Sequence, residues 1–208
     1  MVILYPTLEA DLACPSRYVR ARVRKELVPA PFASAVLGKE VHERIALSLR
    51  EGVQVNQGGF RLPRRVLLSE GEELGSLLER AQRSLTRFEA DYRPDLGGDP
   101  CLVEEFLAWN LELDEKLVRL MGKLDLLLGH GEGQEIWDWK TGSPKNSREQ
   151  MRLYLFLAYG ATGNPPRLAR AIGLESGEVG GGGLVGGGHS LGLRLATTYA
   201  REPERRPG

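Results

Sequence analysis

Two apolar runs near the middle of the chain each enclose one aspartate. They are Gly122-Lys123-Leu124-Asp125-Leu126-Leu127-Leu128 and Ile136-Trp137-Asp138-Trp139-Lys140-Thr141-Gly142. Both have the length and composition of strands. Side chains alternate faces along a strand, so Lys123, Asp125 and Leu127 are predicted on one face of the first run. In the second, Ile136, Asp138 and Lys140 share a face, with Trp137 and Trp139 on the other. The intervening His130-Gly131-Glu132-Gly133 is rich in turn formers. A hairpin is therefore expected, with Asp125 beside Asp138 and their carboxylates within about 4–6 Å.

The flanking pattern predicts helices. Residues 7–27 read as one, closed by Pro29-Ala30-Pro31, and residues 35–50 as a second, ending at Gly52. On the second, Val41, Ile45 and Leu49 form a buried stripe, and His42 sits one position off it. Residues 56–69 read as irregular, 72–92 as a polar helix and 94–100 as a loop. Residues 101–109 and 116–121 read as strands, the latter running into Asp125. Ser147 with Gln150 resembles a capping box opening a helix to Tyr159 that is apolar nearly all round, and hence buried against the sheet. Gln150 and Tyr154 fall one turn apart on one face. Residues 168–172 read as a further strand, and 174–179 as the turn of a strand pair. The glycine run from Gly180 is predicted to form no packed element, because glycine loses too much backbone entropy. The assignment is an α/β domain with a central mixed sheet flanked by helices over residues 1–179. Its N-terminal helical segment covers residues 1–100 and its core residues 101–179. Residues 180–208 are read as a disordered tail, either natural or the product of an altered reading frame after about Ile172.

An aspartate among leucines sheds hydration, which costs several kcal/mol unless something pairs with it. Two of them, with Lys140 two residues after the second, point to a metal ion as the missing partner. The plain alternative is a surface hairpin with solvated aspartates. At 208 residues the chain can bury one full core. No apolar run reaches a membrane span, and the N-terminus lacks a signal-peptide pattern. Cys14 and Cys101 form neither a disulfide framework nor a zinc quartet. A cytoplasmic protein without a membrane partner is the expectation.

Net formal charge is zero, but it is unevenly spread. Residues 1–65 hold 11 Lys/Arg against 6 Asp/Glu, residues 66–135 hold 7 against 16, and residues 136–208 hold 10 against 6. The density of Arg17, Arg20, Arg22, Arg24 and Lys25 suits phosphate contact.

Asp125, then Asp138-Trp139-Lys140-Thr141-Gly142, then Gln150-Met151-Arg152-Leu153-Tyr154 resembles the PD-(D/E)XK nuclease superfamily. Within it the pattern is similar to the RecB-like exonucleases, including helicase–nuclease domains and CRISPR-associated relatives. Gly38-Lys39-Glu40-Val41-His42 matches the upstream histidine helix of that group, and Leu12-Ala13-Cys14-Pro15-Ser16-Arg17-Tyr18 its opening helix. The resemblance implies a restriction-endonuclease-like core and metal-dependent DNA hydrolysis, exonucleolytic, in DNA repair, recombination or CRISPR-related processing. It implies a Mg²⁺ or Mn²⁺ site held by His42, Asp125, Asp138 and the Trp139 carbonyl. Lys140 would orient the attacking water, and Gln150 and Tyr154 would steady Lys140 or the substrate. Arg17, Arg20 and Arg24 would meet DNA, with a helicase or CRISPR and repair proteins as partners. Relatives with an iron–sulfur cluster need three cysteines near the C-terminus. None follows Cys101 here, so no cluster is expected. The rival reading is a catalytically weak or inactive module that binds DNA or serves as a scaffold.

Overall fold

The computed structural model describes residues 2–4, 31–96, 101–113, 116–129 and 133–180. The predicted helix at 7–27, with Arg17, Arg20, Arg22, Arg24 and Lys25, and the tail from 181 lie outside the described residues, as does Cys14.

Among the described residues six strands form one mixed sheet in the order β1-β3-β4-β5-β6, with β2 also paired to β3. They are β1 (Val2–Leu4), β2 (Cys101–Leu113), β3 (Lys116–Leu128), β4 (Glu135–Lys140), β5 (Leu168–Gly173) and β6 (Val179–Gly180). β2 with β3, β3 with β4 and β5 with β6 run antiparallel. β1 with β3 and β4 with β5 run parallel. The α-helices among the described residues are α1 (Ala33–Glu51), α2 (Leu74–Arg87) and α3 (Arg148–Thr162). Among the described residues no helix is long and apolar enough to cross a membrane.

The sheet carries an apolar layer on each face. Leu37, Val41 and Ile45 of α1 pack with Leu77, Ala81 and Leu85 of α2 against Leu126, Leu128, Trp137 and Trp139. On the other face Met151, Leu155, Leu157 and Ala158 of α3 meet Leu120, Leu124, Leu127 and Ile136. Gly160 lets α3 come this close, since a Cβ there would run into the Trp109 indole.

The polar helix predicted over 72–92 divides. α2 is followed by a π-helical turn, Phe88–Tyr92, closed by the Arg93 N–H donating to the Phe88 carbonyl. That turn is what brings Phe88 and Tyr92 onto Trp139, at ring separations of 5.4 and 5.8 Å. Ser147 precedes α3 but its side chain makes no capping hydrogen bond, so the capping box is corrected; Gln150 is engaged elsewhere. Leu153, at 37 % exposure, shows that the apolar residues of α3 are not all buried against the sheet. Gly180, placed in the tail by sequence, is paired with Ala171 in β6. Its lack of a side chain is what fits there, because a Cβ would collide with the Pro144 backbone.

Candidate metal centre

The alternation of β3 slips at Asp125. Leu120 and Leu124 pack toward α3, whereas Leu126 and Leu128 pack toward α1, and Leu127 takes the α3 side. Lys123, Asp125 and Leu127 therefore do not share a face, contrary to the simple period-two expectation. β2 slips at the same level, for Leu107 and Leu111 pack toward α3 but Val103 toward α1. The cause lies at Glu104. It has φ 58°, the one positive value at a non-glycine position among the described residues. A left-handed glutamate is costly, and here it turns the carboxylate toward the α1 side.

Register places Glu104 opposite Asp125, between the pairs Val103–Leu126 and Glu105–Leu124. On the other side of β3, pairing with β4 ends at Leu126–Trp137, one step before Asp125 and Asp138. Three carboxylates thus occupy one row across β2, β3 and β4, where regular pairing gives way. Asp125 fills the opening between β3 and β4, and its Oδ2 accepts the Trp139 backbone N–H at 2.8 Å. The same oxygen lies 3.2 Å from His42 Nδ1.

α1 delivers His42 because it approaches the sheet closely at Gly38, one turn earlier. A Cβ at Gly38 would come within 3.0 Å of Thr141 Oγ1, so the glycine before the histidine sets the helix height over the end of β4. Val41 and Ile45 are fully buried, which fixes the helix rotation and leaves His42 at the edge of the buried stripe, facing Asp125.

Donor atoms of His42, Glu104 and Asp125 all lie within 4.8 Å of one another. Glu104 is the functional candidate that the sequence reading missed. It sits in the acidic middle segment, where no local pattern distinguishes it from Glu105, and only the register across β2 and β3 singles it out. It is ion-paired with Lys123.

Asp138 is 3 % exposed. Its Oδ2 pairs with Lys140 Nζ at 2.5 Å, and no further donor reaches it among the described residues. Burial foremost, and then the charge of Asp125, push its carboxyl up to about 6, with Lys140 and His42 acting in opposition. Burial works against a charged His42, yet the hydrogen bond and charge of Asp125, with the charge of Asp138, hold its pKa above the ordinary value. The charge of Asp125 thus acts on both Asp138 and His42, as expected where a cation is wanted.

Lys140 Nζ also donates to Gln150 Oε1 at 2.8 Å, and Gln150 Nε2 donates to the Tyr154 hydroxyl at 3.0 Å. Burial, followed by the charge of Asp138, raises the Tyr154 phenol far above its ordinary range. The geometry accordingly runs Asp138, Lys140, Gln150, Tyr154 as one chain. Trp139 is at the site through its backbone, while its indole is enclosed by Phe88, Tyr92 and Trp137.

The residues suit a hard divalent cation. Clustered carboxylate oxygens with one imidazole nitrogen form an appropriate donor set.

The sequence model of the PD-(D/E)XK nuclease superfamily matches residues 6–179. No curated protein matches the chain. A solved structure titled "Crystal structure of SSO0001" is similar over 90 % of this chain and 85 % of that one, at 8 % identity and a TM-score of 0.31.

Proposed function

The chain belongs to the PD-(D/E)XK nuclease superfamily, and from that premise we propose that it is a Mg²⁺- or Mn²⁺-dependent deoxyribonuclease of the RecB-like kind, acting from DNA ends. The observation that carries the proposal is the His42–Glu104–Asp125 donor cluster, together with a buried Asp138 that feels the charge of Asp125 and pairs with an ammonium two residues along the same strand.

In this reading His42, Asp125 and Asp138 hold the ion, Glu104 joins them, and the Trp139 carbonyl completes the set. When bound, a divalent ion neutralises phosphate charge and lowers the pKa of water toward neutrality. Lys140 has three N–H donors. Two are directed at Asp138 and Gln150, and the third faces the reacting phosphate, where it orients the nucleophile and stabilises charge that develops on the oxygens. Gln150 holds the ammonium in place, and Tyr154, kept protonated by burial and by Asp138, holds Gln150. The Asp125–Trp139 bond keeps β4 level with β3, so that ligands and ammonium meet the same phosphate. Contacts of this kind address phosphate and not base edges, so little sequence preference is expected. Repair, recombination or CRISPR-related processing, with a helicase or CRISPR and repair proteins as partners, is the setting such an activity suits.

The test is cleavage of end-labelled single- and double-stranded DNA with free or blocked ends, in Mg²⁺, Mn²⁺ or EDTA. Metal-dependent loss of the terminal label from free ends supports the reading. Cleavage of blocked substrates at the same rate means an endonuclease. DNA binding with no cleavage in any metal means a non-catalytic module.

A further inference from the structure

The β2–β3 hairpin has two unlike faces. One is apolar and packs on α3 through Leu107, Leu120 and Leu124. The other lies on the side of Glu104 and Asp125 and carries Phe106 opposite Lys123, then Asn110 opposite Arg119. Same-face positions along a strand are about 7 Å apart, so Phe106 and Lys123 stand one position from the acidic row and the Asn110–Arg119 pair three. Phe106 is 54 % exposed, unusual for a large aromatic, and the Lys123 side chain is more than half exposed although it is ion-paired with Glu104. Arg119 Nε is buried and has no hydrogen-bond acceptor among the described residues. From Phe106 to Asn110 and from Arg119 to Lys123 this face carries no acidic side chain.

An exposed ring with two cations on the same face, in line with the proposed phosphodiester-cleaving centre, is an arrangement suited to unpaired nucleic acid: bases stack on the ring while phosphates meet the cations. We propose that this face is a single-strand track, with one base stacked on Phe106 and backbone phosphates against Lys123 and Arg119. Duplex DNA keeps its base faces stacked internally, so the ring distinguishes single strands from duplex. The proposal rests on the nuclease reading for its direction toward the acidic row, but it is tested without cleavage.

Binding of a fluorescently labelled oligothymidylate and of a blunt duplex is measured by anisotropy in EDTA, so that hydrolysis cannot intervene. Phe106→Ala is expected to weaken single-strand binding ~10-fold and leave duplex binding and the melting temperature unchanged. Phe106→Tyr is expected to bind as the parent does. Arg119→Ala is expected to reduce the salt slope by about 0.7, the value for one phosphate contact on a single strand. A Phe106→Ala variant that binds single strands like the parent, or weakens both substrates equally, overturns the track. If the stacking loss is seen but the parent cleaves nothing in Mg²⁺ or Mn²⁺, the track stands and the nuclease reading fails.

Discussion

The Trp139 backbone N–H donates to the Asp125 carboxylate at 2.8 Å, and this one bond links the two strands where their ladder has already ended. Asp125 is thus both a proposed metal ligand and the acceptor for an otherwise unpaired N–H on a strand whose indole is buried. The two aspartates of the hairpin are consequently not equivalent in the fold.

Asp125→Ala is expected to abolish cleavage and to lower stability by about 1–3 kcal/mol, the cost of leaving a buried N–H without a partner. Asp138→Asn is expected to abolish cleavage while keeping or raising the melting temperature of the metal-free protein, because it removes a buried charge that Asp125 opposes. Thermal melts in EDTA compare the two. Equal stability losses would contradict the distinction.

The metal-free protein is expected to be more stable at pH 5.5 than at pH 7.5. Asp138 is raised to about 6 from near 4, so its contribution is fully present below the unfolded value and lost as pH rises through 6. His42, also raised, acts in the same direction above its ordinary value of about 6.5. Glu89, Glu135 and Glu175 are lowered despite burial, by hydrogen bonds and arginine charge, and their contribution fails only as pH falls below about 4. Asp138→Asn is expected to flatten the change between pH 5.5 and 7.5, and saturating Mn²⁺ to reverse it. Melting temperature against pH measures both.

Glu104→Gln is expected to weaken Mn²⁺ binding at least ~10-fold by calorimetry, in line with the loss of a coordinating or supporting carboxylate. Glu104→Gly, which suits φ 58°, is expected to lose the same affinity without melting lower. If Glu104→Gln binds Mn²⁺ as the parent does, Glu104 serves only as the partner of Lys123.

Gly160→Ala is expected to destabilise the fold by about 1–3 kcal/mol, an overpacking cost, because its Cβ meets the Trp109 ring within the layer that carries Gln150 and Tyr154. Chemical denaturation reads the loss. A parallel rise in KM without a fall in kcat is not expected, since the displaced helix holds Lys140.

Much of this was legible in the sequence. Asp125, Asp138, Lys140, Gln150 and Tyr154 stand out as candidates through local spacing (a carboxylate in an apolar run, two residues on a strand, one turn on a helix), whereas His42, at the edge of a helical stripe, becomes one through the family resemblance. Strand periodicity placed β3, β4 and β5, and Gly52 closed α1 as expected with φ 72°. What the sequence hid is non-local. Glu104 becomes a candidate ligand only through register with a strand about 20 residues on, and its backbone angle reverses the alternation from which faces are read. The Phe88–Tyr92 turn looked like more polar helix because its apolar partners, Trp137 and Trp139, lie far along the chain. Ser147 with Gln150 looked like a local cap, but Lys140 claims the amide.

The central claim is that Asp125, Asp138 and Lys140 make a metal-dependent phosphodiesterase. The most direct test is single-turnover cleavage of end-labelled single-stranded DNA in Mn²⁺ by the parent, Asp138→Asn and Lys140→Ala proteins purified in parallel. The account predicts cleavage by the parent that EDTA stops, none above background by Asp138→Asn, and a loss of about two or more decades in rate for Lys140→Ala with Mn²⁺ affinity retained. Equal rates for all three proteins, or a parent rate that survives EDTA, would contradict it.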